Sequence, residues 1–263
     1  MHGKHAALIR RYHPRYESPK RSYERLLNEL VTPGSVWLDL GCGRNISADR
    51  ELDRTLVARA GLVVGCDLDP HLKRHETIRH LVLANAERLP FASSSFDLVT
   101  ASMVAEHLEH PERVFEEVAR VLRPGGKFVV FTPNKWNYAM LLSRLTPHAF
   151  HLWYKRVAFY LNRGEWRDFE DDVFPTFYRA NSARLLRELS QRAGLSVVRL
   201  DHLALAHSFG FVRPLYILSL LYERLIDRLG LHGLKADLLA VLEKKREALP
   251  AGAPRTLPQA ASG

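Results

Sequence analysis

Two glycines separated by one residue follow a short apolar run near the start of this 263-residue chain. The run is Val36–Leu40, and the turn after it is Gly41-Cys42-Gly43. Glycine lets a backbone approach a ligand where a β-carbon would collide with it. Ligands of open parallel sheets bind beyond the carboxyl ends of the strands, where this turn is expected to lie. The turn alone is weak evidence for a site, since such turns are often purely structural.

An aspartate closes the next apolar run, Leu62–Cys66, and strengthens the case. At the end of a second strand, Asp67 can accept hydrogen bonds from both hydroxyls of a ribose. The alternative is an ordinary helix-capping aspartate, a role that Asp69-Pro70 suits better. A dinucleotide fingerprint requires a third glycine, and Ile46 stands at that position. We therefore favour a ribose-containing ligand that is not a nicotinamide dinucleotide.

The elements that must position these residues alternate along the chain. Apolar runs of strand length are separated by segments with helical spacing, and this order indicates an α/β fold with a parallel sheet and helices on both faces. Strands are predicted at 36–40, 62–66, 81–84, 96–101, 127–132, 195–200 and 237–242. Helices are predicted at 48–60, from Pro111, and after a capping Ser182.

Two segments interrupt this alternation. Residues 134–180 are rich in aromatic side chains. These side chains are expected to form core, a lid over an apolar substrate pocket lined from Trp136–Tyr178, or both, since the two roles are compatible. Residues 208–235 contain a predicted helix after Pro214. One face of that helix carries Leu215, Leu218, Tyr222, Leu225 and Leu229. We interpret it as a packing or dimer element rather than a membrane anchor, although its basic surroundings keep the anchor as an alternative.

Composition narrows the class of protein. Two cysteines leave no room for a disulfide framework. No apolar run is long enough to span a bilayer, and residues 1–15 lack the apolar core of a secretory signal, so a soluble, cytoplasmic protein is expected. The net charge of +9 indicates a basic solvated surface, with an anionic substrate or membrane surface as the alternative. We predict one domain over 1–247 and a disordered tail over 248–263.

Four motifs, taken in order, resemble those of the class I methyltransferases that use S-adenosylmethionine (SAM). Val36–Gly43 resembles their motif I, and Val64–Leu68 resembles their second-strand acidic motif. Ala84–Phe91 with Ser95–Val99 resembles their adenine-site and fourth-strand region, and Leu122–Lys127 resembles the turn before their fifth strand. Together these motifs are far more specific than any one of them. The likeness is strongest to the small-molecule group that includes ubiquinone- and menaquinone-pathway enzymes.

The resemblance implies a Rossmann-like, mainly parallel seven-stranded sheet with a helical and aromatic cap insertion. It also implies SAM as cofactor and S-adenosylhomocysteine as product. Asp39 would hold the glycine loop through backbone hydrogen bonds, and the loop would face the methionine part of SAM. Asn85 and Ala86 would contact the adenine edge; the family usually has Asp at the first of these positions. The complete implied cofactor set is Asp39, Gly41, Cys42, Gly43, Asp67, Leu68, Asn85, Ala86, Glu87 and Ser102.

Methyl transfer from a sulfonium is an in-line displacement that depends mainly on placement. A hydroxyl acceptor needs a general base, and His107 is the candidate; its alternative role is a hydrogen bond within the scaffold. Glu106-His107 followed by Thr132-Pro133-Asn134 resembles the quinone O-methyltransferase-like branch. The divalent-metal cluster of that branch is Glu-x-x-Glu-His, and Met103 stands at its first position, so no metal site is predicted.

The predicted function is methyl transfer from SAM to a small-molecule, lipid-linked or saccharide acceptor, on oxygen. A nucleic-acid methyltransferase is an alternative, but Ala101–Val104 lacks the Asn-Pro-Pro-aromatic motif of that class. A catalytically silent SAM-binding partner protein is a third possibility. Ile46 disfavours a dehydrogenase.

Overall fold

The structure, a computed structural model, describes residues 2–47, 49–70, 75–137, 175–205 and 213–246, with side chains from residue 6 onward. Its centre is one seven-stranded sheet. The strands are β1 (Val36–Leu40), β2 (Leu62–Asp67), β3 (His80–Leu83), β4 (Phe96–Ser102), β5 (Leu122–Pro133), β6 (Leu195–Leu203) and β7 (Asp237–Lys244). Each predicted strand is present, and six of the seven differ from the predicted bounds at one or both ends.

Six α-helices accompany the strands in the described part of the chain. They are α1 (His2–Tyr12), α2 (Pro19–Leu30), α3 (Arg50–Arg59), α4 (Pro111–Val121), α5 (Ala183–Arg192) and α6 (Arg213–Leu229). Pro111 occupies the first turn of α4, as predicted. The Ser182 hydroxyl accepts a hydrogen bond from the Leu185 amide at 3.3 Å and caps α5.

The strand order is β3-β2-β1-β4-β5-β7-β6. Strands β1 to β5 pair in parallel, while β7 is antiparallel to both β5 and β6. Strand β6 therefore runs in the same direction as β1 to β5. The carboxyl ends of these six strands meet at one edge of the sheet, called here the carboxyl edge, and every predicted site residue lies at or near it.

Two apolar layers cover the sheet. One contains Val114, Phe115 and Val118 of α4 together with Leu186 of α5, and the other contains Leu56 of α3 among the side chains packed on the opposite face. Neighbouring strand residues point to opposite layers, as expected for a pleated strand. The prediction of helices on both faces of the sheet is thus confirmed.

Helix α6 is present where a helix was predicted, and the chain packs against the face of the helix that the prediction did not single out. The leucine face is turned outward, and the opposite face, with Tyr216 and Leu220, is buried. Leu8 and Ile9 of α1 pack against this buried pair. Both faces of α6 are apolar, so its periodicity could not decide which one is covered. Most of the predicted lid, residues 138–174, and the tail 248–263 lie outside the described residues.

Candidate active site

The glycine turn after β1 is held by the end of β2. The Gly41 amide donates to the Cys66 carbonyl at 2.7 Å, and both glycines have positive φ, +62° at Gly41 and +51° at Gly43. A β-carbon at Gly41 would collide with the Val104 side chain, whereas one at Gly43 would meet no atom within 4 Å. We expected both glycines to admit a ligand. Only Gly43 borders open space, and Gly41 is required by packing against the protein itself.

Asp67 lies beside this turn at the end of β2. One carboxylate oxygen, Oδ2, accepts a hydrogen bond from the Gly43 amide, and Oδ1 accepts one from the Asp69 amide, both at 2.9 Å. A carboxylate oxygen accepts more than one hydrogen bond, so the group retains acceptor capacity for the two hydroxyls of a ribose. The carboxylate is thereby fixed in orientation and adjacent to the open space at Gly43.

The contacts of Asp39 differ from those expected. Its carboxylate is buried and accepts a hydrogen bond of 2.6 Å from the Thr100 hydroxyl, which in turn accepts one from the Trp37 indole at 2.8 Å. This bond joins β1 to β4, while the turn is held by Cys66 and Asp67. Burial raises the pKa of Asp39 to about 7, against the lowering effect of the Thr100 bond. Asp39 thus stabilises the strands beneath the turn.

Cys42 does not offer its side chain to a ligand. The residue is buried, and its Sγ is so close to Gly65 that a β-carbon there would lie 2.8 Å away. Burial also raises the pKa of its thiol well above the ordinary value, which makes the thiol inert. Any contact of Cys42 with a cofactor is therefore through its backbone.

The loops after β2 and β3 form a second part of the site. Asn85 Oδ1 accepts a hydrogen bond from the Glu87 amide at 2.8 Å, which leaves the side-chain amino group as the outward donor. We expected the oxygen to meet the adenine amino group; the observed orientation instead suits an adenine ring nitrogen. Leu68 and Leu83 are 66% and 57% exposed, so two aliphatic side chains flank the loop. Glu87 pairs with Arg113 at 3.2 Å.

These features fit a nucleoside with a methionine-like tail. The open space at Gly43 admits an extended chain close to backbone, Asp67 offers an oriented carboxylate for a ribose, and exposed aliphatic carbons near Asn85 offer an apolar surface for a base. Ala86 is half-buried in the same loop, and Ser102 is half-buried at the end of β4. The residues present therefore fit SAM, which the resemblance implied.

His107 lies beyond β4, in a 3₁₀ turn at Ala105–His107. Its Nδ1 is 2.8 Å from the Pro175 carbonyl, which can only accept. Nδ1 therefore carries the proton, and in the neutral ring the lone pair is on Nε2. The scaffold hydrogen bond and the general-base role were posed as alternatives. The geometry makes them compatible, because the scaffold bond selects the tautomer that a base requires.

A buried polar network lies next to His107. Glu106 accepts a hydrogen bond from the Thr132 hydroxyl at 2.9 Å, and that hydroxyl accepts one from the Asn181 side-chain amide at 2.6 Å. Burial raises the pKa of Glu106. The pKa of Asp237, at the start of β7, is raised to about 7 by burial and by the charges of Glu106 and Glu223. Asn181 and Asp237 were not predicted, because both reach the site from sequence-distant segments.

Three exposed apolar side chains lie on segments that leave the carboxyl edge beside His107. Met103 follows β4 and adopts a positive φ of 56°, a conformation uncommon for a long side chain. Trp136 follows β5, and the amide of Phe177 donates to the Glu106 carbonyl at 2.8 Å. All three side chains are at least 37% exposed. The described flanks of the predicted lid, 134–137 and 175–180, thus adjoin the candidate site.

Two further properties of the described residues bear on the kind of site. Among them, no group of three or more His, Cys, Asp or Glu is arranged to hold a metal ion. Across the same part of the chain, every helix is too short or too polar to cross a bilayer.

Comparison with known proteins identifies the central part of the chain. Residues 38–130 match the family described as a methyltransferase domain. A probable S-adenosylmethionine-dependent methyltransferase of Mycolicibacterium smegmatis is 34% identical over 182 residues, covering 67% of this chain and 66% of the relative. Demethylmenaquinone methyltransferase of Renibacterium salmoninarum is 33% identical over 141 residues, covering 48% and 57%. The chain thus spans about two thirds or less of these relatives' length.

A solved structure shows the same fold. The S-adenosylmethionine-dependent methyltransferase of Mesorhizobium loti superposes with a TM-score of 0.53 at 18% identity, covering 86% of this chain and 98% of that one. Such a low identity supports the architecture alone. The predicted Rossmann-like sheet is confirmed by this likeness and by the strand order.

Proposed function

Since the chain belongs to the class I SAM-dependent methyltransferases, we propose that it transfers a methyl group to an oxygen of a small molecule with an apolar or ring-shaped portion. Bound SAM supplies an activated methyl group on a positively charged sulfur. The single observation that carries the proposal is the juxtaposition of Gly43 and Asp67 with exposed apolar side chains at one edge of the sheet. Gly43 and Asp67 suit the methyl donor, and the exposed apolar side chains suit the acceptor.

The residues of the chain have distinct roles in this proposal. Asp67 binds the ribose, Gly43 admits the amino-acid portion of the cofactor, and Asn85 contacts the base. His107 Nε2 takes the proton from the acceptor hydroxyl, because the Pro175 carbonyl holds the proton on Nδ1. Glu106 is a positioning residue, since its backbone carbonyl holds the 177–178 segment through two amides.

The exposed apolar side chains beside the candidate site support the proposed class of acceptor. Met103, Trp136 and Phe177 expose apolar carbon where it would contact a bound molecule rather than core. The likeness to demethylmenaquinone methyltransferase supports an acceptor with a ring and an apolar tail. The basic surface of the chain suits an anionic group on that acceptor, because the net charge is +9.

Calorimetric titration with S-adenosylhomocysteine tests the first half of the proposal. A methyl-release screen over quinols, phenols, sugars and RNA tests the second half. We expect binding of the nucleoside, and turnover with phenol-like or quinol-like acceptors. In the His107→Gln variant, turnover should fall about 100-fold or more with unchanged nucleoside affinity, as for loss of a general base. Strong methylation of RNA, with none of the small acceptors, would overturn the acceptor class.

A further inference from the structure

Helix α6 has two apolar faces, and the described part of the chain covers only one of them. The inner face is buried through Tyr216, Leu220 and Ile226. The outer face is formed by leucines that are between 41% and 61% exposed: Leu215, Leu218, Leu221, Leu225 and Leu229. A helix that is apolar on opposite sides is normally covered on both. A contiguous exposed patch of this kind marks a contact with something else.

The acidic and basic side chains of α6 differ in their exposure. Glu223 is fully buried, and the half-buried Asp227 is bound by Lys235 at 2.6 Å. The charged side chains of α6 that are exposed are all arginines: Arg213, Arg224 and Arg228. Arg224 and Arg228 lie along one flank of the outer leucines, one helical turn apart. The outer surface of α6 therefore combines leucines with positive charge.

Helix α1, which packs on the inner face of α6, is also basic. The sequence of α1 contains no acidic residue, and Arg10 and Arg11 at its end are exposed. An antiparallel pairing of α6 with a second copy would bring two rows of arginines together, which like charges oppose. The charge pattern thus disfavours a second copy and favours a negatively charged partner.

We propose that the outer face of α6 docks on an anionic phospholipid surface. Leucines of an interfacial helix enter the boundary between headgroups and acyl chains, while flanking arginines bind lipid phosphates. The helix would lie in the plane of the surface, since no described helix is able to span a membrane. This proposal does not depend on the methyl-transfer proposal, because lipid binding is measured without SAM.

The position of α6 places a docked lipid surface near the candidate site. The chain reaches α6 from the carboxyl end of β6, at Leu203, and returns to the sheet at Asp237. Both points lie at the carboxyl edge, where β7 begins opposite the end of β5. A lipid surface under α6 is therefore next to the edge that holds the candidate site. An acceptor with an apolar tail would reach that site from the lipid phase.

Flotation of the full chain with vesicles tests the proposal. The vesicles contain phosphatidylcholine alone or phosphatidylcholine with phosphatidylglycerol. We expect binding only with the anionic lipid, and about tenfold or greater loss in Leu218→Ser/Leu225→Ser. The matched control is Val198→Ser, which replaces a side chain that is 54% exposed on β6.

Charge reversal gives a second test. Arg224→Glu/Arg228→Glu should lose about tenfold or more of the binding, since arginines near an anionic surface each contribute to attraction. The control, Arg187→Glu/Arg192→Glu on α5, changes the net charge equally at two exposed arginines and should bind as the unaltered chain does.

Four outcomes would overturn the docking. One is the absence of binding to the vesicles that contain phosphatidylglycerol. Another is a stable dimer that the leucine variant separates, which would assign the face to a second copy. A large fall in melting temperature of the leucine variant would mean that the chain itself covers the face. Binding to RNA that requires the arginines but not the leucines would assign the surface to nucleic acid.

Discussion

Replacing Asp67 with alanine is expected to weaken the binding of S-adenosylhomocysteine by about 10- to 150-fold. The carboxylate is fixed by amide donors at Gly43 and Asp69, both at 2.9 Å, so it is already oriented before a ligand arrives. One hydrogen bond to a charged group contributes about 1.5–3 kcal/mol. Loss of one such bond to the ribose corresponds to that range of affinity.

The conservative variant Asp67→Asn separates charge from shape. An amide has a single oxygen, so either Gly43 or Asp69 would face an NH₂ group in place of an acceptor. We expect the affinity of this variant to lie between those of the unaltered chain and the alanine variant. Both affinities are measured by calorimetry, and the fold of each variant is checked by circular dichroism.

Asp97 provides the matched control. It lies at the start of β4, at the edge of the sheet opposite the site, and its carboxylate accepts the Val36 amide at 2.8 Å and pairs with Arg123. Asp97→Ala removes a comparable anchor and should leave nucleoside affinity within about twofold. Unchanged affinity in Asp67→Ala with an intact fold would refute the ribose assignment. Equal weakening in both variants would show that the effect is one of stability.

Two further predictions concern the glycine turn and the buried acid Glu223. Gly43→Val should abolish nucleoside binding and lower the free energy of unfolding by about 1–2 kcal/mol, because residue 43 has a positive φ. The control Gly194→Ala, also at positive φ in open space, should lower stability by about as much and bind the nucleoside normally. Normal binding by Gly43→Val would place the cofactor elsewhere. Burial raises the pKa of Glu223 to about 7, so the folded chain favours the protonated carboxyl. The free energy of unfolding therefore contains this contribution at low pH and loses it as the pH rises from about 4.5 through about 7. Glu223→Gln should therefore unfold as the unaltered chain does at pH 5 and be about 2–3 kcal/mol more stable at pH 8, measured by urea denaturation. An identical pH dependence in both proteins would contradict the raised pKa.

The sequence by itself determined the strands and the edge of the sheet at which the candidate residues lie. Apolar runs ending in Gly41 and Asp67 place both residues at strand ends, and parallel strands bring such ends to one edge. The same local logic gave Pro111 and Ser182 as the starts of α4 and α5, because capping depends on residues only a few positions apart. These features follow from chemistry within one element or between neighbours.

Several residues at the candidate site make contacts that the sequence did not predict. Asp39 binds Thr100, 61 residues away, and not the turn that follows it. Gly41 is a glycine because of Val104, which approaches it from the loop after β4. Asn181 reaches Thr132 across the whole insertion. Each contact joins segments that the strand order brings together, and no local pattern contains that order.

Helix α6 shows most clearly which features the sequence determines and which only the tertiary structure decides. Its spacing fixes which residues share a face, since 3.6 residues make one turn. The two faces are equally apolar: one carries Leu218 and Leu225, and the other carries Tyr216 and Leu220. Burial of either face would satisfy the pattern. Packing against α1 selects the second pair and turns the leucines outward. Periodicity assigns side chains to faces, whereas only the neighbours in the folded chain decide which face is covered.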